Sequence, residues 1–160
     1  MTTPEFDSPK WREKRDSLLG EWMLGNEDAV EFLLTVFQAA ELWDDIIDGD
    51  HQKAKEAVST TMLALLIDLP ANKFFCENLN TLRTSMLLGI NAWKDSVLLE
   101  QRSDNWAKTW AYALRDLYME LVPLCAMLVG GYHHMRAISL PAREFFQAET
   151  FGEYLDGRSD

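Results

Sequence analysis

From Asn26 to Gly49 the chain reads as one long helix, and no other segment constrains the fold as much. Asn26 has the side chain of an N-cap. Glu27 and Asp28 follow in the first turn, where the partial positive charge of a helix N-terminus favours acids, and Gly49 supplies a stop after about Asp48. Apolar residues recur along the segment at helical spacing, and Val36, Ala40, Trp43 and Ile47 form one stripe expected to face a core.

The same signals divide the rest of the chain. Ser8-Pro9 starts a helix that carries Trp11, Leu18, Leu19 and Trp22 and stops at Gly25. A third helix is expected from about Gln52 to Ile67, ended by Leu69-Pro70, because proline disfavours helical geometry in the residue before it. A fourth is expected from about Lys73 to Gln101. Asp104 can cap a fifth running to about Met135, with a kink at Pro123 and slack at Gly130-Gly131. Pro141 opens a short sixth through Phe145, Phe146 and Phe151. No strand-like alternation, repeat or low-complexity linker interrupts the pattern. The expectation is an all-α, single-domain bundle of about six helices over residues 1–160, with flexible tails at 1–7 and 156–160.

Composition narrows the functions open to such a bundle. With 48% hydrophobic residues, 160 residues suffice for one core without disulfides or structural metal. A net charge of −11, with 15 basic residues scattered among 26 acids, argues against nucleic acid and anionic membranes, since each phosphate neutralised needs a Lys or Arg. Cys76 and Cys125 lack ligand spacing and read as buried free thiols of a reducing compartment. The start of the chain lacks a signal-peptide pattern. The longest apolar run, Leu121 to Gly131, contains Pro123 and falls well short of the roughly 20 residues needed to cross a bilayer. No membrane span is expected, and the expected location is cytoplasmic, in a bacterial or phage-infected host cell.

The end of the second helix is the candidate site. Glu41-Leu42-Trp43-Asp44-Asp45-Ile46-Ile47-Asp48-Gly49-Asp50 holds four aspartates and a glutamate in ten residues. At about 100° per residue, Asp44, Asp45 and Asp48 lie within about 60° of Glu41, so the four carboxylates share a face. One or two turns earlier the same direction carries Val30, Leu34 and Phe37, which need cover. Close acids repel one another, and the negative end of the helix disfavours each by about 0.3–1 kcal/mol. A bound cation would relieve both penalties. Hard oxygen ligands suit Mg²⁺, which typically uses one or two protein carboxylates and leaves its remaining positions to water or substrate phosphate. Without a cation, the acids are a solvated helix face helped by Lys53 and Lys55. The alternate-position ligands of an EF-hand are absent.

Asp44-Asp45-Ile46-Ile47-Asp48, preceded by Leu42-Trp43 and followed by Gly49-Asp50, resembles the DDxxD motif of isoprenyl diphosphate synthases and related all-α terpenoid synthases. The resemblance implies a terpenoid-synthase-like helical fold in which Asp44, Asp45 and Asp48 ligate Mg²⁺ that clamps a diphosphate. Those synthases are nearly twice as long and carry a second aspartate-rich helix and an arginine pair after the first motif. Here the candidates for an opposing face are the i,i+4 pairs Asn91 with Asp95 and Asp116 with Glu120, and Lys53 and Lys55 stand where the arginines would. Asp28-x-x-Glu31 followed by Glu41-x-x-Asp44 resembles in outline the paired acidic motifs of all-α nucleotide pyrophosphatases of the MazG and dimeric dUTPase type, although here both pairs share one helix. Leu42-Trp43-Asp44-Asp45, Leu128-Val129-Gly130-Gly131 and the overall size are similar to small bacteriophage and prophage proteins, which implies a viral or prophage origin but no particular activity.

Other residues carry less chemistry. His133 and His134 point about 100° apart on a helix and fit a cation-friendly helix end. His51 follows the acidic run as a turn residue. Trp106, Trp110 and Tyr112 are candidates for a subunit interface, and the abundant aromatics imply a large aromatic core. Two functions follow from these observations. One is a Mg²⁺ site at Glu41, Asp44, Asp45 and Asp48 that binds a diphosphate-bearing small molecule, the metal neutralising a leaving diphosphate or polarising a phosphoryl oxygen. The other is a non-catalytic interaction module, such as a phage accessory protein, meeting a protein partner or a second copy; a further alternative, which the second resemblance implies, is a nucleotide pyrophosphatase of the MazG and dimeric dUTPase type.

Overall fold

The computed structural model describes residues 8–157, and every regular element among them is helical. Six helices of eleven residues or more are present: α1 (Pro9–Trp22), α2 (Glu27–Asp48), α3 (His51–Leu63), α6 (Leu79–Glu100), α7 (Asn105–Arg115) and α8 (Leu121–Phe146). The shorter α4 (Leu69–Ala71), α5 (Lys73–Glu77) and α9 (Phe151–Asp156) complete the set. The expected all-α class and helix number hold. The chain divides into two compact units, one running to Leu79 and one from Asn80. The tails expected at 1–7 and 156–160 lie outside the described residues, except Asp156 and Gly157, which close α9.

In the first unit the helix starts follow the local chemistry. Ser8 Oγ accepts from the Trp11 N–H at 3.2 Å with Pro9 in the first turn, and Asn26 Oδ1 accepts from the Ala29 N–H at 3.0 Å. The turn between α1 and α2 places Leu24 at φ +53° and Gly25 at φ +74°. Only glycine takes that conformation without cost, so Leu24 is strained. The core gathers Trp11, Leu19, Trp22 and Met23 with Ala29, Phe32, Leu33, Val36, Phe37 and Leu42. Phe32 stacks on Phe75 at 5.6 Å and meets Phe74 at a tilt. Asn72 makes two bonds here. Its Oδ1 accepts from the Phe75 N–H at the start of α5, and its Nδ2 donates to the Asp28 carbonyl at 2.8 Å, tying α5 to α2.

The third helix does not end at Leu69-Pro70 as expected. After α3 the chain widens into a π-helical segment, Ala64–Asp68, in which the Leu69 N–H reaches the Ala64 carbonyl. The chain stays helical through Pro70 and leaves helical geometry only at Asn72, ψ 118°. Widened turns move carbonyls away from the proline ring, and π-bulges of this kind recur at functional sites.

The remaining boundaries also differ from expectation. The helix expected over Lys73–Gln101 is divided at Asn78 into α5 and α6. The one expected to run from Asp104 to Met135 stops at Asp116, passes through a 3₁₀ turn, Leu117–Glu120, and restarts as α8. Pro123 therefore falls in the first turn of a new helix, where its missing N–H costs nothing, and it makes no kink. The break is tied to a close approach: a Cβ on Gly89 of α6 would lie 3.0 Å from Tyr118 Cα. Pro141 does not open a helix but lies inside α8. That helix is interrupted instead at Gly131, whose φ of +81° and ψ of −178° only glycine adopts readily. Phe151 belongs to α9, which begins with a capping box of Thr150 and Glu153.

Candidate functional site

The acidic run sits where α2 turns into α3. Gly49, at φ +82°, closes α2, and the N–H groups of Gly49 and Asp50 both reach the Asp45 carbonyl, the second at 2.8 Å. Asp50 then caps α3 by accepting from the Lys53 N–H at 3.3 Å. The turn is thus specified by glycine for the left-handed residue and aspartate for the next cap. Further along, Gln38 Nε2 donates to Thr61 Oγ1 at 3.0 Å, joining α2 to α3 through a buried hydroxyl.

Glu41, Asp44 and Asp48 are exposed, whereas Asp45 is half-buried, its side chain 17% accessible. The Lys53 ammonium lies 3.9 Å from Asp45 Oδ1 and 3.9 Å from Asp50 Oδ2, offsetting the negative end of α2. Among the described residues no group of three or more His, Cys, Asp and Glu side chains is arranged to hold one metal ion. Phe37, one turn above the run, is buried, and Val30 and Leu34 are half-buried, so the apolar direction above the acids is covered. The expected core stripe fails at its end. Val36 is buried, but Trp43 and Ile47 are exposed, as is Ile46, and Leu42 points inward in their place.

The i,i+4 pairs of the second unit are engaged with partners inside that unit. Asn91 Nδ2 donates to Asp95 Oδ2 at 3.3 Å on the surface of α6. Asp116 accepts from Arg115 Nε at 3.1 Å, and Glu120 accepts from Arg143 Nη2 at 2.6 Å. His133 and His134 do not sit at a helix C-terminus but at the start of the helical stretch that resumes after Gly131, with the His134 ring folded over Gly130 where a Cβ would meet it. The two thiols differ: Cys76 is exposed, and Cys125 is buried, with its thiol pushed well above the usual range by desolvation.

Two further surfaces emerge. Trp106 and Trp110 are 59% and 47% exposed, with ring centroids 6.3 Å apart and Arg102 over the Trp106 ring. Tyr112, grouped with them by sequence, instead turns toward Phe151 and Tyr154 of α9. On α3 and the π segment, Ala57–Ile67 contains no charged residue. Val58, Met62 and Leu66 are exposed at i,i+4 spacing, with Leu63 and Ile67 exposed beside them. The spacing was readable in the sequence, but the direction in which it faced was not. Comparison with protein-family models, curated proteins and solved structures finds no match.

Proposed function

We propose that this protein is an interaction module that works through the uncharged face of α3 and the following π segment. The observation that carries this reading is the set Val58, Met62, Leu63, Leu66 and Ile67, of which the last three are 62%, 63% and 62% exposed, bounded by Glu56 and Asp68. Scattered single apolar residues are normal on any surface. A helical row of five with no intervening charge is the pattern of a face that a protein partner covers. Met and Leu on such a face supply adaptable apolar contact. Replacing Met62 and Leu66 together by glutamate should abolish the association while leaving the helical circular-dichroism signal unchanged. Native-gel or sedimentation analysis of gentle extracts should show wild type in a larger species and the double variant as a monomer. A monomeric wild type, or a variant that migrates with it, would count against the reading.

A second reading is favoured by the half-buried Asp45 carboxylate and its loose, 3.9 Å ion pair with Lys53, which mark the α2–α3 turn as cation-attracting. In it Glu41, Asp44, Asp45 and Asp48 bind Mg²⁺, and through it a diphosphate-bearing small molecule, with only one or two carboxylates in direct contact with the ion. Millimolar Mg²⁺ or Mn²⁺ should then raise the thermal midpoint. Asp44→Asn with Asp48→Asn should remove the rise, and a wild type indifferent to both metals would eliminate this reading.

A further inference from the structure

The α9 helix is too short to persist by itself, since isolated helices under about 12 residues are marginal in water. Its order therefore derives from what it touches, and most of that is one cluster. Arg115, at the end of α7, lies over the Tyr112 ring at 5.4 Å and the Tyr154 ring at 5.0 Å. Its Nη2 donates to Glu149 Oε2, just before α9, while the Tyr112 hydroxyl donates to the Glu149 carbonyl. Tyr112 packs on Phe151 and Tyr154 at 5.3 Å each, and the Tyr154 hydroxyl donates to Glu100 Oε1 at 3.1 Å. Tyr154 is the one buried residue of α9. A cleft of about 220 Å³ lies against it, lined by residues 100–103 and Lys108 together with Tyr154 and Leu155.

From this geometry we infer that α9 is a strap latched by Arg115 and Glu149, which undocks as a unit and opens that cleft while the rest of its unit stays folded. An ion pair, two tyrosine hydrogen bonds and a cluster of three rings hold it, and the pair is partly exposed and hence screened by salt. The strap does not depend on the interaction face of α3. Native-state hydrogen exchange on the full chain tests it. The Tyr154 and Gly157 amides, which bond back to Thr150 and Glu153, should exchange at least about ten-fold faster than the last-turn amides of α7. Glu149→Gln should accelerate them by about ten-fold more, as loss of a charged hydrogen bond implies, as should about 0.5 M salt to a lesser degree. The α6 and α7 amides should not change. Arg115→Lys, which keeps the charge but not the planar stacking, should also accelerate α9 alone. Exchange of α9 at the rate of α7, or equal acceleration of all three helices by Glu149→Gln, would overturn the inference.

Discussion

Single residues carry the most local costs in this molecule. Leu24 holds a left-handed backbone with its side chain largely in solvent, so little packing is lost on truncation. Leu24→Gly is expected to stabilise the protein by up to about 1 kcal/mol, set by relief of the left-handed strain against glycine's extra unfolded-state entropy. A chemical melt of the pair would measure it, and a less stable glycine variant would show that the turn is not strained. Asp104 and Glu153 respond to pH through the caps they form. Backbone N–H bonds, from Ala107 to Asp104 and from Thr150 to Glu153, hold both carboxyls below their ordinary pKa. Folding is thus favoured by their ionised forms. The contribution is complete at neutral pH, fades as pH falls through the ordinary carboxylate range, and is gone below the lowered folded-state values. Once exchange is corrected for its own pH dependence, protection at the starts of α7 and α9 should fall on acidification, and Asp104→Asn should flatten the fall at α7.

At the scale of elements, side chains that act within one turn were readable, as was Pro9 beside its N-cap, but the later prolines were not. Ser8, Asn26, Asp104 and Gly49 do what their chemistry specifies, because a cap is settled by three or four neighbouring residues. Pro123 and Pro141 misled because the cost of a proline depends on its distance from a helix start. That distance was set by the break at Asp116, where Gly89 and Tyr118 meet across residues far apart in sequence. The burial of α2 failed for the same reason. Periodicity placed Trp43 and Ile47 on a stripe but could not show that Leu42, in their place, would turn inward at the last turns. Of the candidate site, the turn that bounds it was legible in Gly49, whereas the Arg115 cluster joins residues far apart in sequence and left no signal at any one of them. Two substitutions test these elements. Pro141→Ala should raise stability by about 1–3 kcal/mol, since an interior proline costs a helix that order of energy; an unchanged midpoint would mean that α8 is already relaxed around it. Asn72→Ala removes a buried side chain bonded to both α2 and α5, and should cost about 1–3 kcal/mol by urea denaturation.

At the scale of the whole molecule, a chain of net charge −11 carries an uncharged helical stretch, residues 57–67, with five large apolar side chains turned outward. No helix among the described residues is long and apolar enough to cross a membrane, so a bilayer-spanning role does not explain the apolar row. The proposed interaction module would: a protein partner that covers Leu63, Leu66 and Ile67 would offset the cost of leaving them in water. The most direct measurement replaces Met62 with a photo-crosslinking amino acid, and Glu13 of α1 as a control, in the cells that make the protein. The account predicts a discrete crosslinked adduct from position 62 and none from position 13. Equal crosslinking at the two positions, or none at position 62, would contradict it.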